Sequence, residues 1–596
     1  MFILFFVVFS VLTFPPLTDT IEMKKRRKKE ILSMLRNTFI IILSILICLV
    51  GNIYGLKDAS APEAKIYAIN ELGSTEIGGG KVAVHDPSVL QDKDGSYYVF
   101  GTHLCAASSE DMISWKNLAS GISDENPLLY VEGQTLRQTL SEPLAWTDAY
   151  QVLGNADEAS WQTNIWAPTV IYNDTMGKYC LYGSCSVWGT STSVIWLATS
   201  DSIKGPFQYE KAFLYSNFNN KTQYKDYIRT DSMHWSFTNM GELFRKGIFT
   251  YDEMKNAPWF REDGSYNQDV YPNCIDPALF YDAEGQLWLS YGSYFGGTYI
   301  MPMDESTGLP DYEYMKNTEG YDMYFGKKIV ATTAANAFSG EGVFVTYDKE
   351  SGYYYLFISY GGLNALGGYN IREYRSETPD GPYLDKAGNS ATDNVNSGIK
   401  LMGSYKFDCN EKAYLAAGHS SCIIDKDGKI LQVYHTRQNN GHDGYEMRVH
   451  QMLRTEDGWL ALLPFDYTGE SADKTYTADE IAGDYEFIAH GNETISTQSW
   501  DRVNDLIHPT QHITLNADGT ISGLYLYGSD RNDASVSKKK VSGSWEMTDG
   551  TAFITLTVGG RVYEGVICEQ TDEEGTLRTV FAAIGGNNET VWGARV

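Results

Sequence analysis

The sequence predicts an all-β protein: a five-bladed β-propeller followed by a small C-terminal antiparallel β-barrel or sandwich. Three observations lead there. One hairpin sentence recurs five times, an acidic or polar residue leading a short apolar strand, a Gly turn and an aromatic strand. Its fullest copy is Ile275-Asp-Pro-Ala-Leu-Phe-Tyr-Asp-Ala-Glu-Gly-Gln-Leu-Trp-Leu-Ser-Tyr-Gly292. A four-to-eight-fold repeat of small sheets is the signature of a propeller. Composition agrees, with 42 Tyr, 13 Trp and 56 Gly among 596 residues, the aromatic and turn usage that strands and hairpins favour. Finally, the tail carries short strands and turns without the repeat.

Taken in order, residues 1–55 read as a targeting segment, with Met23 as a natural start. Met23-Lys-Lys-Arg-Arg-Lys-Lys29 is basic, and Thr38 to Val50 is apolar but shorter than a membrane span, as in a secretory leader. Export, or an N-terminal anchor on the outer cell surface, is expected. Residues 56–80 form a polar lead-in, and 81–468 the propeller. Blade one runs from His85-Asp-Pro87 through Gly95 to Gly101 and ends at the Ser108–Trp115 loop. A connection of low regularity, 121–164, leads to Trp166-Ala-Pro168, which opens blade two. The polar, aromatic insertion from Gln208 to Asn273 is predicted to lie at one mouth of the propeller. Blade three is the quoted hairpin with its continuation from Ser293. Blade four opens at Gly340-Glu341-Gly342, and blade five at Gly418-His419. After a polar linker, 480–596 form the C-terminal β-domain, which carries no catalytic constellation and reads as an accessory module.

Composition bounds the partner. A net charge of −29 argues against nucleic acid, which demands a basic footprint, and favours a neutral ligand. The eight Cys residues show no zinc spacing and read as buried free thiols. A monomer is expected.

Equivalent positions of successive blades sit at one radius, so Asp86, Ala167, Asp276, Glu341 and His419 should ring a single point near the axis. A ring holding three carboxyls is expensive to bury and therefore reads as an active site. Mutual repulsion drives the acidities apart, the condition for one carboxyl to give a proton while another works as a base. Asp86 and Asp276 precede Pro, which favours extended backbone. Glu341, longer and set between glycines, is the natural proton donor, and a short, rigid Asp suits holding water. Asp-Pro turn formation and a structural histidine are the competing explanations.

The set His85-Asp-Pro87, Asn164-Ile-Trp-Ala-Pro168, Ile275-Asp-Pro277, Gly340-Glu-Gly342 and Gly418-His-Ser420 resembles family 43 glycoside hydrolases. Tyr182-Gly-Ser-Cys-Ser-Val-Trp-Gly, Gly367-Gly-Tyr-Asn-Ile-Arg372 and Val449-His-Gln-Met452 resemble, within them, the two-domain extracellular endo-α-1,5-L-arabinanases. The resemblance covers about 80 to 467, and the tail resembles that group's β-domain. It implies an inverting hydrolase of arabinan or arabino-oligosaccharides. Asp86 matches the general base, Glu341 the general acid, and Asp276 the residue that orients Glu341 and raises its pKa. It further implies sugar contacts from His85, Trp166 and Ser293, and one calcium ion held by His419 through a shell that is mostly water. Inversion sets the base and acid carboxyls roughly 6.5–9.5 Å apart. Ser420, where the group commonly has Asn, is a departure beside the metal position. Alternatives are an exo-acting α-L-arabinofuranosidase or β-xylosidase of the same family, a non-catalytic glycan-binding propeller, and a retaining fructan-active propeller enzyme.

Overall fold

The computed structural model describes residues 76–151, 158–221, 233–332, 340–393, 395–527 and 538–596. The targeting segment and most of the lead-in lie outside the described residues. No helix among the described residues is long and apolar enough to cross a membrane.

Five antiparallel sheets follow one another along the chain. Blade one comprises Ser88–Gln91, Tyr97–Gly101, Cys105–Ser109 and Trp115–Ser120. Blade two comprises Ile165–Asn173, Lys178–Ser186, Ser193–Ser200 and Gln208–Tyr215. In blade three, Ala278–Tyr281, Leu287–Ser293 and Gly297–Asp304 are joined by Lys327–Val330 and the short Leu309–Pro310. Blade four is Glu341–Asp348, Tyr353–Tyr360, Asn370–Ser376 and Ile399–Lys400, and blade five Tyr414–Ile424, Ile430–Gln438, Tyr445–Arg454 and Leu460–Leu462. The central strands are buried almost throughout, as in Ser193–Ser200, because each blade is covered on both faces by its neighbours.

The ring closes between blades one and five. Val82, Val84, Val89, Val99 and Trp115 share one apolar cluster with Leu431, Val433, Met447, Val449 and Tyr467. The Tyr97 hydroxyl donates to Asp425 at 2.9 Å, and the Val89 N–H to Ser421 Oγ at 3.1 Å. Residues so distant in sequence cost loop-closure entropy, and this buried seam offsets it.

Several boundaries differ from the sequence reading. Blade one does not end at the Ser108–Trp115 loop, because Trp115–Ser120 returns as its outer strand, and the 121–164 connection contains helices at Leu136–Thr139 and Ser141–Gln151. Gln208–Tyr215 belongs to blade two rather than to the insertion. Its first four residues are exposed or half-buried and polar-rich, which disguised the strand. The rest of the insertion is not chiefly a mouth: Phe218, Phe249, Trp259 and Tyr266 pack into one core with Tyr312, Tyr324 and Phe325 of blade three.

The C-terminal domain resolves the barrel-or-sandwich alternative. Eight strands between Gly483 and Arg595 close into a barrel around Tyr485, Phe487, Ile513, Leu556, Phe581 and Val591. Gly523 separates two short strands, Thr520–Ser522 and Tyr525–Tyr527. The barrel also shares a core with the propeller, in which Ile488, Val566, Val580 and Trp592 meet Leu460, Leu462 and Phe465. The described cysteines are all free, and all but half-buried Cys105 are buried.

Candidate active site

Each inner strand begins with the same irregularity. Trp166 faces Ser184 while Thr169 faces Tyr182, so three steps match two. Glu341 faces Ser359 and Phe344 faces Phe357 in blade four; Gly418 faces His435 and Ser421 faces Val433 in blade five. In blades one and three, the N–H groups of Thr102 and Gly292 reach the carbonyls of His85 and Ile275, with Ser88 opposite Phe100 and Ala278 opposite Ser290. Each blade therefore carries a one-residue β-bulge, the device that re-aims a side chain. The extra residue is left-handed in every blade: φ is 54° at Asp86, 39° at Ala167, 55° at Asp276, 64° at Gly342 and 44° at His419.

Two expectations are corrected by this. Asp86 and Asp276 do not take the extended backbone that a following Pro favours, because the bulge forces positive φ on both. In blade four the position equivalent to Asp86 is Gly342. Glu341 stands one residue earlier, level with His85, Trp166, Ile275 and Gly418, and its side chain reaches the cavity from there. A Cβ on Gly342 would lie 2.8 Å from the His419 ring, so glycine leaves the space that the imidazole fills.

Asp86 is the most heavily partnered group. Thr102 Oγ1 donates to its Oδ2 and accepts the Ala167 N–H at 2.9 Å, tying the carboxylate to blade two. Three imidazoles face its Oδ1: His85 Nδ1 at 2.8 Å, His419 Nδ1 at 3.0 Å and His435 Nδ1 at 3.6 Å. The Asp86 N–H donates to His435 Nδ1 at 3.2 Å. Arg437 Nη2 lies 3.2 Å from His85 Nε2; since Arg can only donate, His85 carries its proton on Nδ1, facing Asp86.

The two other acids lie in different surroundings. Asp276 Oδ2 accepts the Gly342 N–H at 3.1 Å, which fixes the backbone beside Glu341 rather than its carboxyl. The Tyr369 hydroxyl donates to Glu341 Oε1 at 2.8 Å. Burial drives Glu341 upward and the Asp276 charge adds to it. Burial likewise raises Asp276, against the pull of His419. At Asp86 burial pushes upward too, but His419 and His85 outweigh it and hold the carboxyl well below its usual range. Burial lowers His419, yet Asp86 and Asp276 reverse this and bring it up to about 9. The site thus holds an ionised Asp86 and a protonated Glu341 over the neutral range.

Of these groups Glu341 lines a cleft with a volume of about 710 Å³, together with Trp166, Trp188, Ser293, Tyr294 and Asn364, among others. Trp166 and Trp188 meet edge to face with centroids 6.0 Å apart, and Trp188 is 71% exposed. Ser293 lines the cleft, but its hydroxyl donates to Asn273 Oδ1 at 2.7 Å and it is buried. Thr102, Tyr369, His435 and Arg437 were not singled out by sequence reasoning. His435 and Arg437 sit on the second strand of blade five, Thr102 just after the second strand of blade one and Tyr369 just before the third strand of blade four, all away from the acid-led repeat.

His85, Asp86 and His435 offer donor atoms within 4.8 Å of one another. Calcium prefers six to eight oxygen ligands, whereas this centre supplies imidazole nitrogens and one carboxylate. With Nδ1 of His419 turned to Asp86 and the imidazole protonated at neutral pH, its Nε2 would have to give up a proton before it could ligate a cation. A calcium ion held here would therefore have to draw most of its shell from water.

Comparison with known proteins gives the family. Residues 229–460 match the glycosyl hydrolases family 43 model, and 464–593 match a C-terminal lipocalin-like domain that accompanies it. The chain is 33% identical over 531 residues to an extracellular endo-α-(1→5)-L-arabinanase of Thermotoga petrophila, covering 86% of this chain and 93% of that protein. It is 32% identical to extracellular endo-α-(1→5)-L-arabinanase 2 of Bacillus subtilis, with the same coverage. Among solved structures, the T. petrophila endo-1,5-α-L-arabinanase superposes with a TM-score of 0.66, at 33% identity, covering 87% of this chain and 99% of that one. A family 43 glycoside hydrolase of Bacillus licheniformis gives 0.67, at 30% identity and 87% and 98% coverage. The chain belongs to glycoside hydrolase family 43.

Proposed function

We propose that this protein is an extracellular endo-α-1,5-L-arabinanase that cleaves internal bonds of arabinan with inversion of configuration. The observation that carries the proposal is the opposite displacement of two electrostatically linked carboxyls, Asp86 downward and Glu341 upward, with Glu341 lining an open cleft. Glu341 gives its proton to the leaving glycosidic oxygen. Asp86 accepts a proton from the water that attacks the anomeric carbon from the other face. Both Asp86 oxygens already face donors from Thr102, His85 and His419, which suits orienting water better than forming a covalent bond to sugar. Asp276 fixes Gly342 and keeps Glu341 protonated by its charge. The similarity to endo-arabinanases over both domains supports the substrate reading, and those relatives' extracellular location supports export.

His419 would hold the calcium ion together with water, as the neutral imidazole that binding the ion would require. When bound, the ion adds positive charge beside the Asp86–His419 pair. Chelation is expected to lower kcat and added calcium to restore it, and in His419→Ala neither treatment should change the rate. Product analysis tests the substrate reading. Debranched arabinan should yield mixed oligosaccharides from the first minutes, with a steep fall in viscosity. Release of monosaccharide alone would refute endo action, and hydrolysis of xylan but not arabinan would refute the substrate.

A further inference from the structure

The C-terminal domain was expected to be accessory, but its first long loop runs into the cleft. Between the barrel strands Gly483–Ala489 and Thr510–Leu515, residues 490–509 form a strap along blade four. Thr497 N–H donates to the Leu366 carbonyl at 2.9 Å, and Asn370 Nδ2 donates to Thr494 Oγ1 at 3.2 Å. Fully buried Arg372 donates to the Asn492 carbonyl at 2.7 Å and also to its side chain. At Gly368, where φ is +73°, a Cβ would fall 2.0 Å from the Ile495 carbonyl oxygen. The strap is therefore seated directly on the Gly361–Gly368 loop, several of whose residues line the cleft.

Exposure alternates along it. Ile495 and Thr497 are half-buried, whereas Ser496 and Gln498 are exposed, the two-residue period of an extended segment. Ser496 and Gln498 are the strap residues that line the cleft. They present a hydroxyl and an amide there, uncharged donors and acceptors of the kind that read sugar hydroxyls. Asn364 and Asp443 add polar groups to the same lining.

We infer that Ser496 and Gln498 contact the arabinan chain and strengthen the binding of substrates long enough to reach them. The inference rests on the arabinanase reading, because it assigns these side chains to that substrate. Hydrogen bonds in such a position act on ground state and transition state alike, so their loss raises KM and leaves kcat near its value.

The test uses the full chain carrying Gln498→Ala, Ser496→Ala or both, assayed on linear arabino-oligosaccharides from trimer to hexamer. The double variant should raise KM for the hexamer about tenfold, with kcat within about twofold. The ratio of kcat/KM for hexamer over trimer should fall at least fivefold. Gln498→Asn, which keeps the amide on a shorter stem, should recover part of that ratio. An unchanged ratio in the double variant overturns the inference, and so does an equal loss on all lengths accompanied by a fall in kcat. Thermal melts show whether a loss reflects the fold: a ratio that falls only in variants that also melt early counts against it. Inactivity of the wild type on every oligomer removes the arabinanase reading and this inference together, whereas an active wild type with an unchanged variant ratio removes the inference alone.

Discussion

Asp86 and Glu341 bear the same functional group, yet their neighbours set them on opposite sides of neutrality. Imidazoles outweigh burial at Asp86, and Asp276 reinforces it at Glu341. Replacing Glu341 by Gln, or Asp86 by Asn, should lower kcat on arabinan by ~10²–10⁴-fold, the range of a positioned acid or base. With Glu341 as the proposed proton donor, the rate should fall as pH rises through its raised pKa, giving the alkaline limb of activity. Asp276→Asn should move that limb to lower pH, since it removes a charge that holds the proton. Stability follows the same linkage with its own sign. A carboxyl raised in the fold binds more protons than in the unfolded chain, so its contribution is present at low pH and lost as pH rises through the folded pKa. Glu341→Gln should therefore melt above the wild type, by a margin that grows from pH 5 to pH 8; a margin constant with pH would contradict this. The three acids were legible because each opens a repeat. Thr102, Tyr369 and Arg437 were not, since nothing local separates a Thr, Tyr or Arg at or beside a strand that faces an active site from one that faces a core.

The element that matters is the bulge. It supplies the positive φ that turns Asp86, Asp276 and His419 toward the axis, at a strain of about 1–2 kcal/mol for each non-glycine residue. Gly342→Ala should test it most sharply, because the new methyl meets the His419 ring as well as the unfavourable φ. A loss of about 1–3 kcal/mol is expected, seen as a lower Tm, with a drop in kcat as His419 and Glu341 shift; wild-type behaviour in both would contradict the argument. The hairpins could be read from acid, Gly and aromatic spacing. The bulge could not, because one extra residue leaves no mark in that pattern, and Glu341 was consequently placed one position out of step. Outer strands such as Gln208–Tyr215 escaped because exposed polar positions interrupt their apolar character.

At the scale of the molecule, propeller and barrel share buried residues. Trp592 of the barrel donates its indole N–H to the Leu462 carbonyl at 2.7 Å, within a core that includes Phe465, Val566 and Val580. Arg372 ties blade four to the strap at residue 492. Two domains joined through a continuous apolar core unfold together, so calorimetry should give one transition, and Arg372→Ala should lower its temperature. Two separate transitions in the wild type would contradict this coupling. The two-domain division was legible from the loss of the repeat after blade five. The strap was not, because contact between residues near 366 and near 497 depends on how the barrel docks.

Inversion requires Asp86 and Glu341 to act from opposite faces of the sugar, one on water and the other on the leaving oxygen. Proton NMR of the first minutes of arabino-oligosaccharide hydrolysis tests this directly. The new reducing end should appear first as the β-anomer and then mutarotate; an α-anomer formed first would mean a double displacement and contradict inversion.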